Sequence, residues 1–201
     1  LYQAPLLIMI LVSSAKSKLL QVFFMDNGAV QETVEVPITF SKPNALATGD
    51  IYGDGDIDYC VASEQGARLE WGEQIQRNGA IRFKPHIVSS DYSSIVDCEI
   101  VDLNNDKKND LVVVSWEGAK LIVFYQQSNG QFEAQELGSS IYKASAVGVS
   151  DLSQDGVLDI VASSYAKGDL TVYLAKDYQS KVVTTPSDRA LGLSDLVVAD
   201  I

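Results

Sequence analysis

Histidine, cysteine, tryptophan and basic residues are all scarce in this chain. One histidine (His86) and two cysteines (Cys60 and Cys98) among 201 residues leave little material for a soft-metal site or an acid–base relay. The Ser-His-Asp order, the CxxC pair, the HExxH helix and the Gly-rich phosphate loop are all missing. No catalytic constellation is recognised, and the chain is read as a non-enzyme. Two cysteines are too few for a disulfide-scaffolded mini-protein. They fall on separate predicted strands and are read as buried free thiols rather than a bridge. No Asn-x-Ser/Thr sequon occurs. Basic residues number 15 against 27 acids, a net charge of −12, which excludes nucleic acid and anionic membrane as partners because nothing would offset their phosphates. The longest uncharged apolar run, residues 4–12, is too short to span a bilayer. No segment sustains apolar residues at helical spacing between caps. The first residue is Leu1 rather than Met, so the chain is read as processed or as part of a longer protein.

What the sequence does have is a repeat. Residues 50–63 (DIYGDGDIDYCVAS), 102–115 (DLNNDKKNDLVVVS) and 151–164 (DLSQDGVLDIVASS) each carry Asp at relative positions 1, 5 and 9, then an apolar run ending in Ser. Their starts lie about fifty residues apart, and one further step lands on Asp200. The stretches between them repeat as well: residues 12–26 align with 162–177. Short runs rich in β-branched and aromatic residues, separated by Gly, Asn and Ser, predict strands. Four strands per fifty residues match one blade of a β-propeller. With strands labelled A to D and the Asp loop joining A to B, the repeats are 1–49, 50–101, 102–150 and 151–199 within a single domain spanning 1–201. The first repeat supplies strands B, C and D only. The chain ends in an A strand at residues 196–199, in preference to a B strand starting at Asp195. The expected fold is all-β, with four-stranded antiparallel blades, about four of them present.

Three carboxylates in one hairpin loop repel each other unless a hard cation offsets their charge. Calcium takes oxygens from carboxylates, amides, hydroxyls and carbonyls, and a tight loop with side chains at positions 1, 3, 5 and 9 and a carbonyl at 7 supplies them. These are Asp50, Asp54, the Asp56 carbonyl and Asp58 in the first loop, where Tyr52 at position 3 is a poor ligand. They are Asp102, Asn104, Asp106, the Lys108 carbonyl and Asp110 in the second, and Asp151, Ser153, Asp155, the Val157 carbonyl and Asp159 in the third. Gly55 and Gly156 at position 6 suit a sharp turn, and Lys107 replaces them in the second loop. An EF-hand would need Glu at position 12 and flanking helices, whereas Val61, Val113 and Ala162 stand there between strands. The expectation is about three Ca²⁺ sites.

The D-x-[DN]-x-D-G-x-x-D loop on a fifty-residue blade resembles the FG-GAP/VCBS repeat, which builds the calcium-bearing propeller of integrin α subunits and of many secreted proteins. The resemblance covers essentially the whole chain. It implies calcium sites on one face that stabilise the blades and a ligand face opposite. The family usually forms seven blades, so about four imply either a small closed ring or part of a larger chain.

On the face opposite the loops, the B–C turns carry Glu64, Trp116 and Tyr165 at equivalent positions. The D–A connections carry Ser-Ser-x-Tyr at residues 89–92 and 139–142. Tyr92, Trp116, Tyr142 and Tyr165 are therefore the candidate ligand contacts, suited to stacking on a sugar or packing on a protein. Set against this, Trp116 and Tyr165 could instead cap the seams between blades, Trp71 reads as core, and a lone histidine is usually structural. Calcium loops fill best where calcium is millimolar, which points to an extracellular, secreted or cell-surface place. The reading is a binding or adhesion module for a protein or glycan ligand, lectin-like in the narrower form. Its alternatives are a carbohydrate-active lyase or dehydratase on the same scaffold, and a purely structural stalk segment.

Overall fold

The computed structural model describes residues 8–14, 19–38, 40–77, 80–138, 141–175, 178–184 and 192–198. Among these there are fifteen β-strands and no helix. The strands are β1 (Ile8–Ser14), β2 (Leu19–Asp26), β3 (Ala29–Pro37), β4 (Pro43–Gly49), β5 (Asp58–Ser63), β6 (Leu69–Arg77), β7 (Ala80–Ser89), β8 (Ile95–Val101), β9 (Asp110–Ser115), β10 (Lys120–Gln126), β11 (Phe132–Gly138), β12 (Ala144–Ser150), β13 (Asp159–Ser164), β14 (Asp169–Leu174) and β15 (Gln179–Thr184).

They form four antiparallel sheets in chain order, β1-β2-β3, β4-β5-β6-β7, β8-β9-β10-β11 and β12-β13-β14-β15. Every hydrogen-bonded neighbour is also the sequence neighbour, the meander that short Gly/Asn/Ser turns permit. The last three sheets have the expected A-B-C-D order, and the first has B, C and D. Among the described residues, no sheet closes on itself as a barrel.

The apolar pattern of the B strands explains how the sheets stack. Every residue of β5, β9 and β13 is buried, which a continuous apolar run requires when both faces are covered. Alternate side chains then enter different cores. Leu111 and Val113 of β9 join Cys60, Trp71 and Cys98 in the core between the second and third sheets. Val112 and Val114 join Val147 and Ile160 between the third and fourth. Tyr59 and Val61 of β5 pack with Leu20, Val22 and Phe24 between the first and second. The hydrophobic core is thus three slabs between successive sheets. The outermost strand is polar where no sheet covers it: residues 133–136 of β11 are exposed.

Polar contacts repeat along the A-strand edge of the sheets. Asn44 Nδ2 donates to the Val96 carbonyl at 3.5 Å, the Val147 amide donates to Asp97 Oδ2 at 2.8 Å, and Ser145 Oγ donates to the Leu193 carbonyl at 2.6 Å. Each joins the start of one A strand to its counterpart in the next repeat. Residues 193–198 carry no strand ladder, yet they occupy the A-strand place beside β12. A Cβ added at Gly148 would lie 2.8 Å from Val198, just as one at Gly49 would lie 2.9 Å from Ile100. The strand expected at 196–199 is therefore present as position without ladder over 196–198, and Ala199 lies outside the described residues, as do Ser139, Ser140 and Asp200.

Candidate functional site

The three Asp loops have the same backbone. Positions 4 and 6 are left-handed in each: Gly53 and Gly55 (φ 79° and 92°), Asn105 and Lys107 (61° and 68°), Gln154 and Gly156 (58° and 85°). Lys107 adopts the glycine conformation at a steric cost, so the loop geometry overrides residue preference there.

Main-chain amides hold the carboxylates in a repeated pattern. The position-1 carboxylates accept from the amides of positions 5 and 6: Asp50 from Asp54 and Gly55 at 3.1 and 2.9 Å, Asp102 from Asp106 and Lys107 at 2.9 and 2.8 Å, and Asp151 from Asp155 and Gly156 at 3.0 and 2.8 Å. The position-5 carboxylates of Asp54, Asp106 and Asp155 each accept from the amide of position 7 at 3.0 Å. Asn104 at position 3 accepts from the Asp106 amide, while Tyr52 and Ser153 are exposed.

Position 9 differs in kind. Asp58, Asp110 and Asp159 are buried, and each reaches from its own loop to strand C or the residue after it. Asp58 Oδ2 accepts from the Ile51 and Tyr52 amides and Oδ1 from Gln74. Asp110 accepts from Leu103 and Gln126, and Asp159 from Ser153 and Ala175. Burial pushes the Asp110 carboxyl up to about 6, although the Gln126 and Leu103 amides pull it back. Burial likewise raises Asp58. The residue type at position 9 thus has an architectural task that a ligand role alone does not explain.

Neighbouring repeats also grip the loops. Asn109 Nδ2 donates to the Asp50 carbonyl at 2.6 Å, and Gln126 Nε2 donates to the Ile51 carbonyl at 2.8 Å, tying the third sheet to the loop of the second. Lys108, expected to offer only its carbonyl, also places its ammonium 2.7 Å from Asp106 Oδ2. That hydrogen bond holds the Asp106 carboxyl below its usual range. The exposed donors of each loop are oxygens of carboxylate, amide, hydroxyl or main chain, the set a hard cation takes. Among the described residues, no three His, Cys, Asp or Glu side chains converge as a metal cage.

At the other end of the strands, the serine that closes each B strand is a latch. Ser63, Ser115 and Ser164 Oγ donate to the carbonyls of Ser41, Ser93 and Tyr142 at 2.7, 2.8 and 2.6 Å. The next residue's amide, in Glu64, Trp116 and Tyr165, donates to Lys42, Ser94 and Lys143 at 3.0, 2.9 and 3.0 Å. These paired bonds fix each B–C turn against the preceding D–A connection.

Between the turns of the last three sheets lies an open notch of about 490 Å³, lined by Asn44, Glu64, Glu117, Ser145, Trp116 and Tyr165 among others. The Trp116 and Tyr165 rings are 5.1 Å apart at 50°, and Lys143 Nζ sits 5.3 Å from the Trp116 centroid. Two of the four candidate aromatics are therefore brought together. Tyr142 is exposed but lies outside the notch. Tyr92 turns inward, edge-on to Phe124 at 5.6 Å, and packs against the core. His86 stacks on Trp71 at 4.4 Å and hydrogen-bonds Glu73 at 2.8 Å, a satisfied structural histidine. Asn44, Glu117 and Ser145 carry no motif of their own in the sequence, and only their places in the repeat would have revealed them.

A family model described as an FG-GAP-like repeat matches residues 50–113 and 102–162. No curated protein sequence matches the chain significantly. Among solved structures, the fold is similar to part of the V. cholerae biofilm matrix protein Bap1, with a TM-score of 0.55 and 18% identity. That similarity covers 94% of this chain and 28% of the other.

Proposed function

This chain belongs to the FG-GAP-like repeat family, and from that premise we propose that it is a calcium-stabilised, extracellular β-propeller module that binds a protein or glycan ligand in the manner of an adhesin. The observation that carries the reading is the opposition of two ends built from the same strands. One end presents three loops that share left-handed positions 4 and 6 and offer exposed oxygen donors; the other presents the Trp116–Tyr165 notch. Meander sheets of three or four strands, stacked through three slabs of core, support the propeller. Asp50, Asp54, Asp102, Asp106, Asp151 and Asp155 would hold the cations, with Asn104, Ser153, the position-7 carbonyls and the position-9 carboxylates of Asp58, Asp110 and Asp159 completing the shells. Bound calcium would supply positive charge that screens the clustered carboxylates and fixes each hairpin. Bap1 is a protein of the biofilm matrix, a setting that fits an adhesion role and an extracellular place for this module.

In the notch, Trp116 and Tyr165 offer apolar ring surface, while Asn44, Glu64, Glu117 and Ser145 offer hydrogen-bonding groups around it. That combination suits a sugar face or a protein loop.

The test is binding of the labelled chain to printed glycan and polypeptide arrays. Substituting Trp116→Ala and Tyr165→Ala should lower signal on the ligand-positive spots about tenfold or more, with the melting temperature held within a few degrees. Tyr142→Ala, outside the notch, should bind as the parent does. Undiminished binding by the double variant would refute the notch as the ligand site and leave the aromatics as seam caps.

A further inference from the structure

Both cysteines of the chain are buried free thiols, as the sequence suggested, and lie in one slab of core between the second and third sheets. Cys60 is on β5 and Cys98 on β8, strands of successive sheets that run within contact distance of each other. They are 0% and 3% exposed. The neighbouring Cys60 thiol and burial together push the Cys98 thiol well above the usual thiol range. The same core slab holds the aliphatic side chains of Ala45, Ile51, Ile95 and Val113.

The repeat supplies its own control. Position 60 is equivalent to Val112 and Val161, and position 98 to Leu46 and Val147. At the next interface, Val112 and Val147 fill the corresponding places in the slab between the third and fourth sheets. Aliphatic side chains therefore suffice for packing at this contact, and packing alone gives no reason for sulfur on both sides of the same interface. A free cysteine behaves as a small hydrophobe, whereas two facing sulfurs are the arrangement a disulfide needs.

We propose that Cys60 and Cys98 form a disulfide that staples the second sheet to the third. The oxidant is a small-molecule disulfide such as glutathione disulfide. One cysteine thiolate attacks it and releases one small thiol; the other cysteine thiolate then displaces the second small thiol from the mixed disulfide. Two protein thiols lose two protons and two electrons, and the oxidant leaves as two thiols. The bridge closes the chain across β6 and β7. It locks the interface where Asn109 and Gln126 grip the second sheet's loop.

The reduced chain is refolded from guanidinium in a glutathione redox buffer. Thiols are then counted in denaturant, and peptides are mapped without reduction. Two thiols should fall to none, with a single cross-linked pair joining the Cys60 and Cys98 peptides. The oxidised chain should melt about 5–10 °C above the reduced one. That difference should vanish in Cys60→Val and in Cys98→Val, each of which restores the residue of the next repeat. As a second measurement independent of refolding, the folded reduced chain is held with the same buffer in subdenaturing urea. A folded chain that keeps both thiols by either route, carries glutathione on each cysteine without a bridge, or melts lower when bridged would overturn the proposal.

Discussion

Replacing Asp58 with Ala separates the two tasks that the Asp loops combine. The Asp58 carboxylate accepts three main-chain amides, Ile51 and Tyr52 on one oxygen and Gln74 on the other. Alanine leaves all three without that partner at a buried position. An unpaired buried amide costs about 1–3 kcal/mol. The Tyr52 and Gln74 amides can recover part of this from water, and removing a buried charge gives some back. The net loss in calcium-free buffer should be about 2–4 kcal/mol. Asp54 accepts one exposed amide, from Asp56, so Asp54→Ala should cost under about 1 kcal/mol in calcium-free buffer. Urea unfolding at neutral pH, in EDTA and again in 10 mM calcium, reads both. In EDTA the two variants should differ by at least about 1 kcal/mol, and calcium should stabilise both less than it stabilises the parent. Equal losses in EDTA would refute the reasoning and leave position 9 as a metal ligand and nothing more.

Two further outcomes follow from the loop geometry. Lys107 holds a left-handed conformation that glycine occupies in the other loops, so Lys107→Gly should stabilise the chain by about 0.5–1 kcal/mol, while Gly156→Ala should destabilise it by a similar amount; thermal melts check both signs. Asp110 titrates near 6 in the folded chain because of burial, against an ordinary value of 3.8. The native state therefore binds its proton more tightly than the unfolded state. In EDTA, this group's contribution to stability is full below the ordinary value and is lost as pH rises through about 6; Asp110→Asn should flatten that slope in melting temperature against pH. Calcium competes with the same proton, so the calcium-induced rise in melting temperature should shrink below pH 6.

Period and strand order were legible because both are carried by residue type. Aspartate at positions 1, 5 and 9 and β-branched runs recur at a spacing that a meander reproduces directly. The apolar run at residues 111–114 marks a strand by residue type, and the structure adds that it is buried on both faces. What sequence hid are roles that depend on a main-chain partner far along the chain. Ser63, Ser115 and Ser164 ended each motif visibly, yet their acceptors are carbonyls 22 residues earlier. Asp97 gave no signal at all, since its partner is the Val147 amide of the next repeat. Asp58, Asp110 and Asp159 are readable by type as candidate metal ligands, but the main-chain amides that they also hold are not encoded in the motif. Tyr92 and Tyr142 occupy the same place in the repeated Ser-Ser-x-Tyr pattern, but one packs on Phe124 and the other faces solvent. That distinction comes from packing between sheets, which the motif does not encode.

Calcium dependence of thermal unfolding tests the central claim most directly. The chain is stripped with EDTA, dialysed, and melted across a calcium series up to 10 mM, with magnesium at equal ionic strength as the control. Three sites with dissociation constants of about 0.1–1 mM would each contribute about 1.4–2.7 kcal/mol at that concentration, raising the melting temperature by at least about 5 °C. The rise should be smaller in Asp106→Ala and little changed in Tyr52→Ala. A melting temperature that is flat across the series, or that magnesium raises as much as calcium, would contradict the account.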